Sequence, residues 1–360
     1  MRIFGFDANG VLTETFDRLR KTPGIELTDD ARSADHFLFW QDVRGGCLTV
    51  CELNRDYMGK PVTLVQHGRG AMRDYLPPNS FQALADTLCV WGEADADHLR
   101  RAGYGSRARI TGSPLKNLLK GRAQRSRKDK EGLNILYVPI IADHEQPENL
   151  INFYHLKRLE LDRCIERLET AKQPLKDLGW NAWNLQPGTV TDGTIPWSVL
   201  NSEFRIITKL AQGFHDASLY YGHKLTTYPH NRVHQAETLK LLECADVVVA
   251  VEEGTLPLLA MALDIPVVII DGFQYHNYGG VDYSTVEMIR TRGATYTDLA
   301  HLRATLEYSL SHPEHLRAER QEVVERELCP KGIQDPVAEI IDVVTSNARL
   351  SNAQKVEVTI

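Results

Sequence analysis

The sequence predicts an α/β protein of two Rossmann-like domains, each built on a mostly parallel sheet, with the two sheets facing a cleft. Three observations carry that prediction. Short apolar runs alternate with stretches of helical periodicity through both halves of the chain. A length of 360 residues exceeds what one hydrophobic core comfortably serves. The composition also breaks once, at the basic run KGRAQRSRKDKEG, after which the strand–helix alternation restarts.

In the first half, RIFGF reads as a strand and residues 13–21 as a helix. IELT, HFLFW, VTLVQ and LCVW follow as strands, with residues 81–86 as a short helix before LCVW is complete. EADADHLRRAG is a helix that stops at Gly103, and RARITG is the next strand. Strands separated by helices imply crossover connections, hence parallel neighbours and a doubly wound sheet. The run at 120–132, with Lys120, Arg122, Arg125, Arg127, Lys128 and Lys130, has no apolar periodicity and reads as a solvated linker.

The second half opens on LNILYVPII, a near-continuous apolar strand of the kind buried on both faces. The stretch from NLINFYHL onward is helical, with Leu156, Leu159, Ile165 and Leu168 among its apolar positions. FRIITKL is a strand, HQAETLKLLECA a helix, and DVVVAV a strand. TLPLLAMALD is a helix opened by Gly254 and Thr255, PVVIID is a strand, and residues 302–329 and 336–344 are helical. The expected domains are an acceptor domain at 1–125, a nucleotide-donor domain at 126–335, and a C-terminal helix and tail at 336–360.

A net charge of −7 and a pI near 6.0 argue against general nucleic-acid binding. No apolar stretch approaches the ~20 residues that span a bilayer, and MRIFGFDANG enters strand-like sequence without a leader pattern. Cys47, Cys51, Cys89, Cys164, Cys244 and Cys329 form no CxxC pair and read as reduced thiols of a cytoplasmic protein.

Two motifs mislead. FGFDANGVLTET mimics the first motif of haloacid-dehalogenase-type phosphatases, with Asp7 as nucleophile, but Asn9 replaces the general acid and an amide cannot serve in that role. Asp95-Ala96-Asp97 spells a metal-binding DxD, yet residues i and i+2 of a helix diverge and cannot share one cation. No metal site is expected.

Ligands of open parallel sheets gather beyond the carboxyl ends of the strands. Three such ends carry chemistry: His67-Gly68-Arg69, Thr111-Gly112-Ser113-Pro114, and Glu252-Glu253-Gly254-Thr255. A helix beginning at a Gly-Thr pair presents backbone N–H groups, a prepared site for a diphosphate.

The order LVQHG, VWGEADADHLRRAGY, ITGSPLKNLL, ILYVPII and LLECADVVVAVEEGTLPLLAMALDIPVVIID resembles the GT-B-type transferases. It is most similar to the CDP-glycerol glycerophosphotransferase and capsule-polysaccharide transferase group, and more distantly to the UDP-N-acetylglucosamine 2-epimerases. Residues 60–345 carry the resemblance, and the run 244–271 is its most specific part. Three places depart from the pattern. Ile140-Ile141-Ala142 replace Thr-Trp-Arg, Leu210-Ala211-Gln212 follow Lys209 where Lys-x-His-Pro is expected, and Glu-Glu-Gly-Thr replaces Asp-Tyr-Ser-Ser. These changes favour a sugar nucleotide over CDP-glycerol as donor.

The resemblance implies a metal-independent transferase, without a cofactor, moving a glycosyl or less readily a glycerophosphoryl group from an NDP-activated donor to a hydroxyl. His67 is the expected base. Arg69, Gly112, Ser113, Glu253, Gly254, Thr255 and His276 are the expected donor and phosphate residues. Arg73 and His230 read as solvated surface. A UDP-sugar 2-epimerase and a non-catalytic GT-B-like scaffold are the alternatives; the epimerases' His-x-Glu-x-Gly run is here His67-Gly68-Arg69-Gly70.

Overall fold

The computed structural model describes residues 1–5, 11–42, 45–77, 80–121, 133–138, 204–209, 226–228, 239, 242–243, 245–250, 254–270, 277–278, 281–282, 291–297 and 301–357. Its chain divides into two compact units, Met1–Lys120 with Val324–Ile360, and Gly121–Val323. The sequence suggested a boundary near 125 and a terminal segment from 336. The contacts instead place the division after Lys120 and return the chain to the first unit at Val324.

In the first unit, β1 (Arg2–Gly5), β2 (Glu26–Leu27), β3 (His36–Phe39), β4 (Val62–Val65), β5 (Thr87–Val90) and β6 (Ala108–Ile110) form one sheet. Its order is β2-β1-β3-β4-β5-β6, and every pairing is parallel. Strands β3, β4 and β5 are buried at every position, which explains why they read as unbroken apolar runs rather than alternating ones. Helices α1 (Thr13–Leu19), α2 (Gly45–Leu53) and α3 (Glu93–Arg101) connect strands of this sheet, and α4 (Leu115–Leu118) follows β6.

Two local expectations fail. Residues 81–86 are irregular, not helical. The buried Asp42 carboxylate accepts from Leu84 N at 2.7 Å and Ala85 N at 2.9 Å, and Arg107 donates to the Ala83 and Ala85 carbonyls. Those backbone groups are thereby satisfied without a helical ladder. Helix α2, which continues as a π-helical turn over Asn54–Met58, was not anticipated, because GGCLTVCELNRDYM opens on two helix-disfavouring glycines.

In the second unit, β7 (Leu133–Val138), β8 (Phe204–Lys209), β9 (Thr226–Tyr228), β10 (Val247–Ala250) and β11 (Val267–Ile270) belong to the main sheet. A short antiparallel pair, β12 (Asn277–Tyr278) and β13 (Val281–Asp282), precedes its last strand, β14 (Thr295–Thr297). The order is β14-β11-β10-β7-β8-β9, again parallel throughout. The crossover helix α5 (Thr255–Ala262) is buried along most of its length. The expected helix over 302–329 is two helices, α6 (Leu302–Ser311) and α7 (Arg317–Glu327). Pro313 separates them by forcing His312 out of the helical region, to φ −128° and ψ 63°.

The terminal helix α8 (Pro336–Glu357) belongs to the first unit, where Ile340 and Val344 join the core built on Phe37, Leu64 and Leu88. Asp335 caps it: its Oδ1 accepts from Ala338 N at 3.3 Å, and its other oxygen accepts from Arg18 at 2.6 Å. Two glycines permit the returning chain to lie close. A Cβ on Gly92 would stand 2.1 Å from the Arg326 carbonyl oxygen, and one on Gly112 2.6 Å from Cys329 Sγ. Gly112 also holds φ +75°, a conformation other residues resist. Cys47, Cys51, Cys89 and Cys329 are buried free thiols. Among the described residues no helix is long and apolar enough to cross a membrane.

His36 makes the first unit acid-sensitive. It is fully buried in β3 with Nε2 3.1 Å from Thr63 Oγ1, and burial lowers its pKa to about 4. Between that value and the ordinary 6.5 the unfolded chain binds the proton and the folded one does not. Stability is therefore lost as pH falls from 6.5 towards 4, by ~3 kcal/mol at order of magnitude. For Asp335, burial that would raise the pKa is outweighed by the Arg18 and Asn117 hydrogen bonds, which bring it to about 2, so its contribution is lost only below 3.8. His36→Gln is expected to flatten the urea midpoint between pH 6.5 and 4. Parallel pH profiles for variant and wild type would mean that the imidazole is not the acid-sensitive group.

Candidate functional site

The strand order fixes where each unit can bind. In the first sheet the chain winds outward from β1 to β2, then crosses to β3, so the topological switch lies between β1 and β3. Trp40 follows β3 directly, and Gln66 and His67 follow β4, the next strand along. His67 is half-buried. Its Nδ1 lies 3.0 Å from the Trp40 carbonyl oxygen, and its ring meets the Trp40 indole at 4.7 Å and 83°. A carbonyl can only accept, so Nδ1 carries the proton of the neutral ring and Nε2 is the basic nitrogen.

A buried polar network supports this turn. Gln66 has no exposed surface; its Nε2 donates to the Gly68 carbonyl and to Asp95 Oδ2, both at 2.8 Å. Its Oε1 accepts from Trp91 N, and its main-chain oxygen accepts from Trp91 Nε1, both at 2.9 Å. Sequence reasoning passed over Gln66, Trp91 and the role of Asp95. The signal was the glutamine closing an apolar strand, since a polar side chain in a fully buried run must find partners.

The DxD residues separate as helical geometry requires. Asp95 faces inward at 3% exposure, whereas Asp97 is half-exposed and pairs with Arg100 and Arg326. No group of three His, Cys, Asp or Glu among the described residues could hold a metal ion.

Three expected phosphate residues have structural commitments in the first unit. The Arg69 guanidinium, 2% exposed, pairs with Glu327 through Nε and a terminal nitrogen, each 2.6 Å from Oε2. Its charge is balanced in place. Ser113 is fully buried; its N–H donates to the Leu328 carbonyl at 2.8 Å, and its Oγ accepts from Leu115 N. Gly112 packs against Cys329, Ile333 and Pro336. The Gly-Ser turn thus grips the returning chain. Arg73 is half-buried in the short 3₁₀ turn Ala71–Tyr75.

In the second sheet the chain runs β7, β8, β9 to one side, then crosses to β10, β11 and β14. The switch therefore lies between β7 and β10. Helix α5 starts just beyond β10, with Gly254 as its N-cap residue at φ −91° and no side-chain cap. The first-turn amides and the positive end of the helix dipole sit where a sheet of this order binds ligands. Asp7, Asn9, His230, Glu253 and His276 lie outside the described residues.

No protein-family model matches the chain, and no curated protein matches it in sequence. Solved structures do match. The wall teichoic acid polymerase TagF aligns over 98% of this chain and 89% of its own, with TM-score 0.56 at 12% identity. A Listeria monocytogenes protein assigned as a UDP-N-acetylglucosamine 2-epimerase aligns over 96% and 95%, with TM-score 0.53 at 12% identity. With the two parallel sheets, these matches establish a GT-B-type fold.

Proposed function

We propose that the chain is a transferase that moves a glycosyl group, or less readily a glycerophosphoryl group, from a nucleotide-activated donor to an acceptor hydroxyl. The observation that carries this reading is the start of α5, after Gly254, at the switch point of the second sheet, where the positive end of a helix dipole favours an anion. The fold is also that of a teichoic acid polymerase.

In this reading the second unit holds the donor diphosphate at Gly254 and Thr255. The acceptor oxygen attacks the activated carbon, the bond from that carbon to the phosphate oxygen breaks, and the nucleoside diphosphate leaves with the bonding pair. His67 Nε2 takes the proton of the hydroxyl. The α5 amides and the Thr255 hydroxyl stabilise the charge gained by the leaving group. No divalent ion is invoked, and activity lost in chelator and restored by magnesium or manganese would contradict that part of the reading.

Gly254→Val tests the donor site cleanly, because φ −91° is open to any residue and the variant adds bulk without backbone strain. Nucleoside diphosphate affinity is expected to fall at least tenfold by calorimetry, while the fold is kept. Unchanged affinity would remove this loop from the site. A thermal-shift screen of nucleoside diphosphates and NDP-sugars identifies the base and sugar. Ligand at one hundred times its dissociation constant adds ~2.7 kcal/mol of stability.

The epimerase match supports a second reading, a UDP-sugar 2-epimerase. Interconversion of two UDP-sugars with no acceptor present would favour it, and product formation that depends on an added hydroxyl compound would exclude it.

A further inference from the structure

Beneath the His67 turn lies a buried acid that the proposed reaction does not touch. Asp95 is 3% exposed, and its Oδ2 accepts from Gln66 Nε2 at 2.8 Å. Its Oδ1 is buried without a hydrogen-bond partner among the described residues, and so is His98 Nδ1, 3.7 Å away. A half-satisfied carboxylate in the interior is a poor way to stabilise a fold, since an apolar residue of similar volume would cost less.

What the carboxylate does control is the direction of the Gln66 amide. With Asp95 and the Gly68 carbonyl both accepting, the amide NH2 must face them, and Oε1 must face Trp91 N. The flipped amide would set its oxygen against two other acceptors. Gln66 in this orientation fixes the Gly68 carbonyl, one peptide beyond His67. The imidazole is then restrained on two sides, by that peptide and by the Trp40 carbonyl at Nδ1. We propose that Asp95 is a positioning residue, which acts through Gln66 to hold His67 with Nδ1 protonated and Nε2 as the base. This inference rests on the reading of His67 as the base.

The test uses the full chain labelled with ¹⁵N-histidine, with Asp95→Leu and Asp95→Asn compared with wild type. Wild-type His67, assigned by its loss in His67→Ala, is expected in the Nδ1–H tautomer, which free imidazole disfavours. Asp95→Leu is expected to relax it towards Nε2–H and to lower turnover about tenfold or more, with nucleoside diphosphate affinity unchanged. Asp95→Asn, whose Oδ1 can still accept from Gln66, is expected to retain both tautomer and turnover. If Asp95→Leu does not fold, Gln66→Met is expected to give the same tautomer change. An unchanged tautomer and unchanged turnover beside a lowered melting temperature would overturn the proposal and leave Asp95 structural. A shifted tautomer with undiminished turnover would instead overturn His67 as the base, and with it any positioning role.

Discussion

His67→Ala is expected to lower turnover by ~10²–10⁴ while donor nucleotide affinity and melting temperature stay close to wild type. The size follows from the role: a general base contributes that factor by accepting the hydroxyl proton as the acceptor oxygen attacks. The selectivity follows from the placement. His67 is at the end of β4 in the first sheet, whereas Gly254 and Thr255, the proposed phosphate residues, follow β10 in the second, so the variant changes no residue of the proposed donor site. The structural alternative predicts the opposite pattern. His67 bonds the Trp40 carbonyl at 3.0 Å, and if that were its whole purpose the variant would lose about 1–3 kcal/mol of stability and keep its turnover. A second readout sharpens the comparison. The acidic limb of the pH–rate profile, along which a protonated base is inactive, should be present in wild type and vanish in His67→Ala. A destabilised but fully active variant would reduce the His-Gly strand end to a turn.

The two parallel sheets were legible because their strands are local objects. Val247–Ala250 and Val62–Val65 are apolar runs whose burial on both faces needs no knowledge of distant sequence. The divergence of Asp95 and Asp97 was legible for the same reason, since helical geometry alone decides it. What escaped depends on partners far along the chain. Residues 81–86 have a helical pattern, but Asp42, some forty positions earlier, supplies an acceptor for the Leu84 and Ala85 amides outside any helix. Gly112 and Ser113 have the composition of a phosphate loop, and only the return of residues 328–336 shows that they close a packing contact. Arg69 likewise has the charge and position of a phosphate ligand until Glu327 is placed beside it. A strand-end glycine or arginine announces close approach or charge in the sequence; it does not announce what approaches.

That last pair yields the largest expected change in stability. Glu327→Ala is expected to cost the first unit ~3–5 kcal/mol, because it removes the carboxylate paired with a guanidinium that is 2% exposed. The cost lies mainly in the charge left behind and not in the bond removed. One carboxylate oxygen accepts from Arg69 Nε at 2.6 Å and lies 2.6 Å from a terminal nitrogen, at 11% exposure, so water screens the pair little. Replacing both partners, Arg69→Leu with Glu327→Leu, is therefore expected to recover most of the loss, since neither charge then needs a partner. Denaturant unfolding of wild type, Arg69→Leu, Glu327→Leu and the double variant, read on the transition of the first unit, gives the coupling energy directly. A cost below about 1 kcal/mol for Glu327→Ala would place the pair with ordinary surface bridges and refute its burial. The double variant also separates stability from chemistry. Arg69 stands two residues beyond His67, so if the ion pair serves only to seat the returning chain, the restored protein should turn over like wild type. Persistent loss of turnover at restored stability would mean instead that the Arg69 anchor holds the His67 turn in its working geometry, in concert with Gln66 from the strand side.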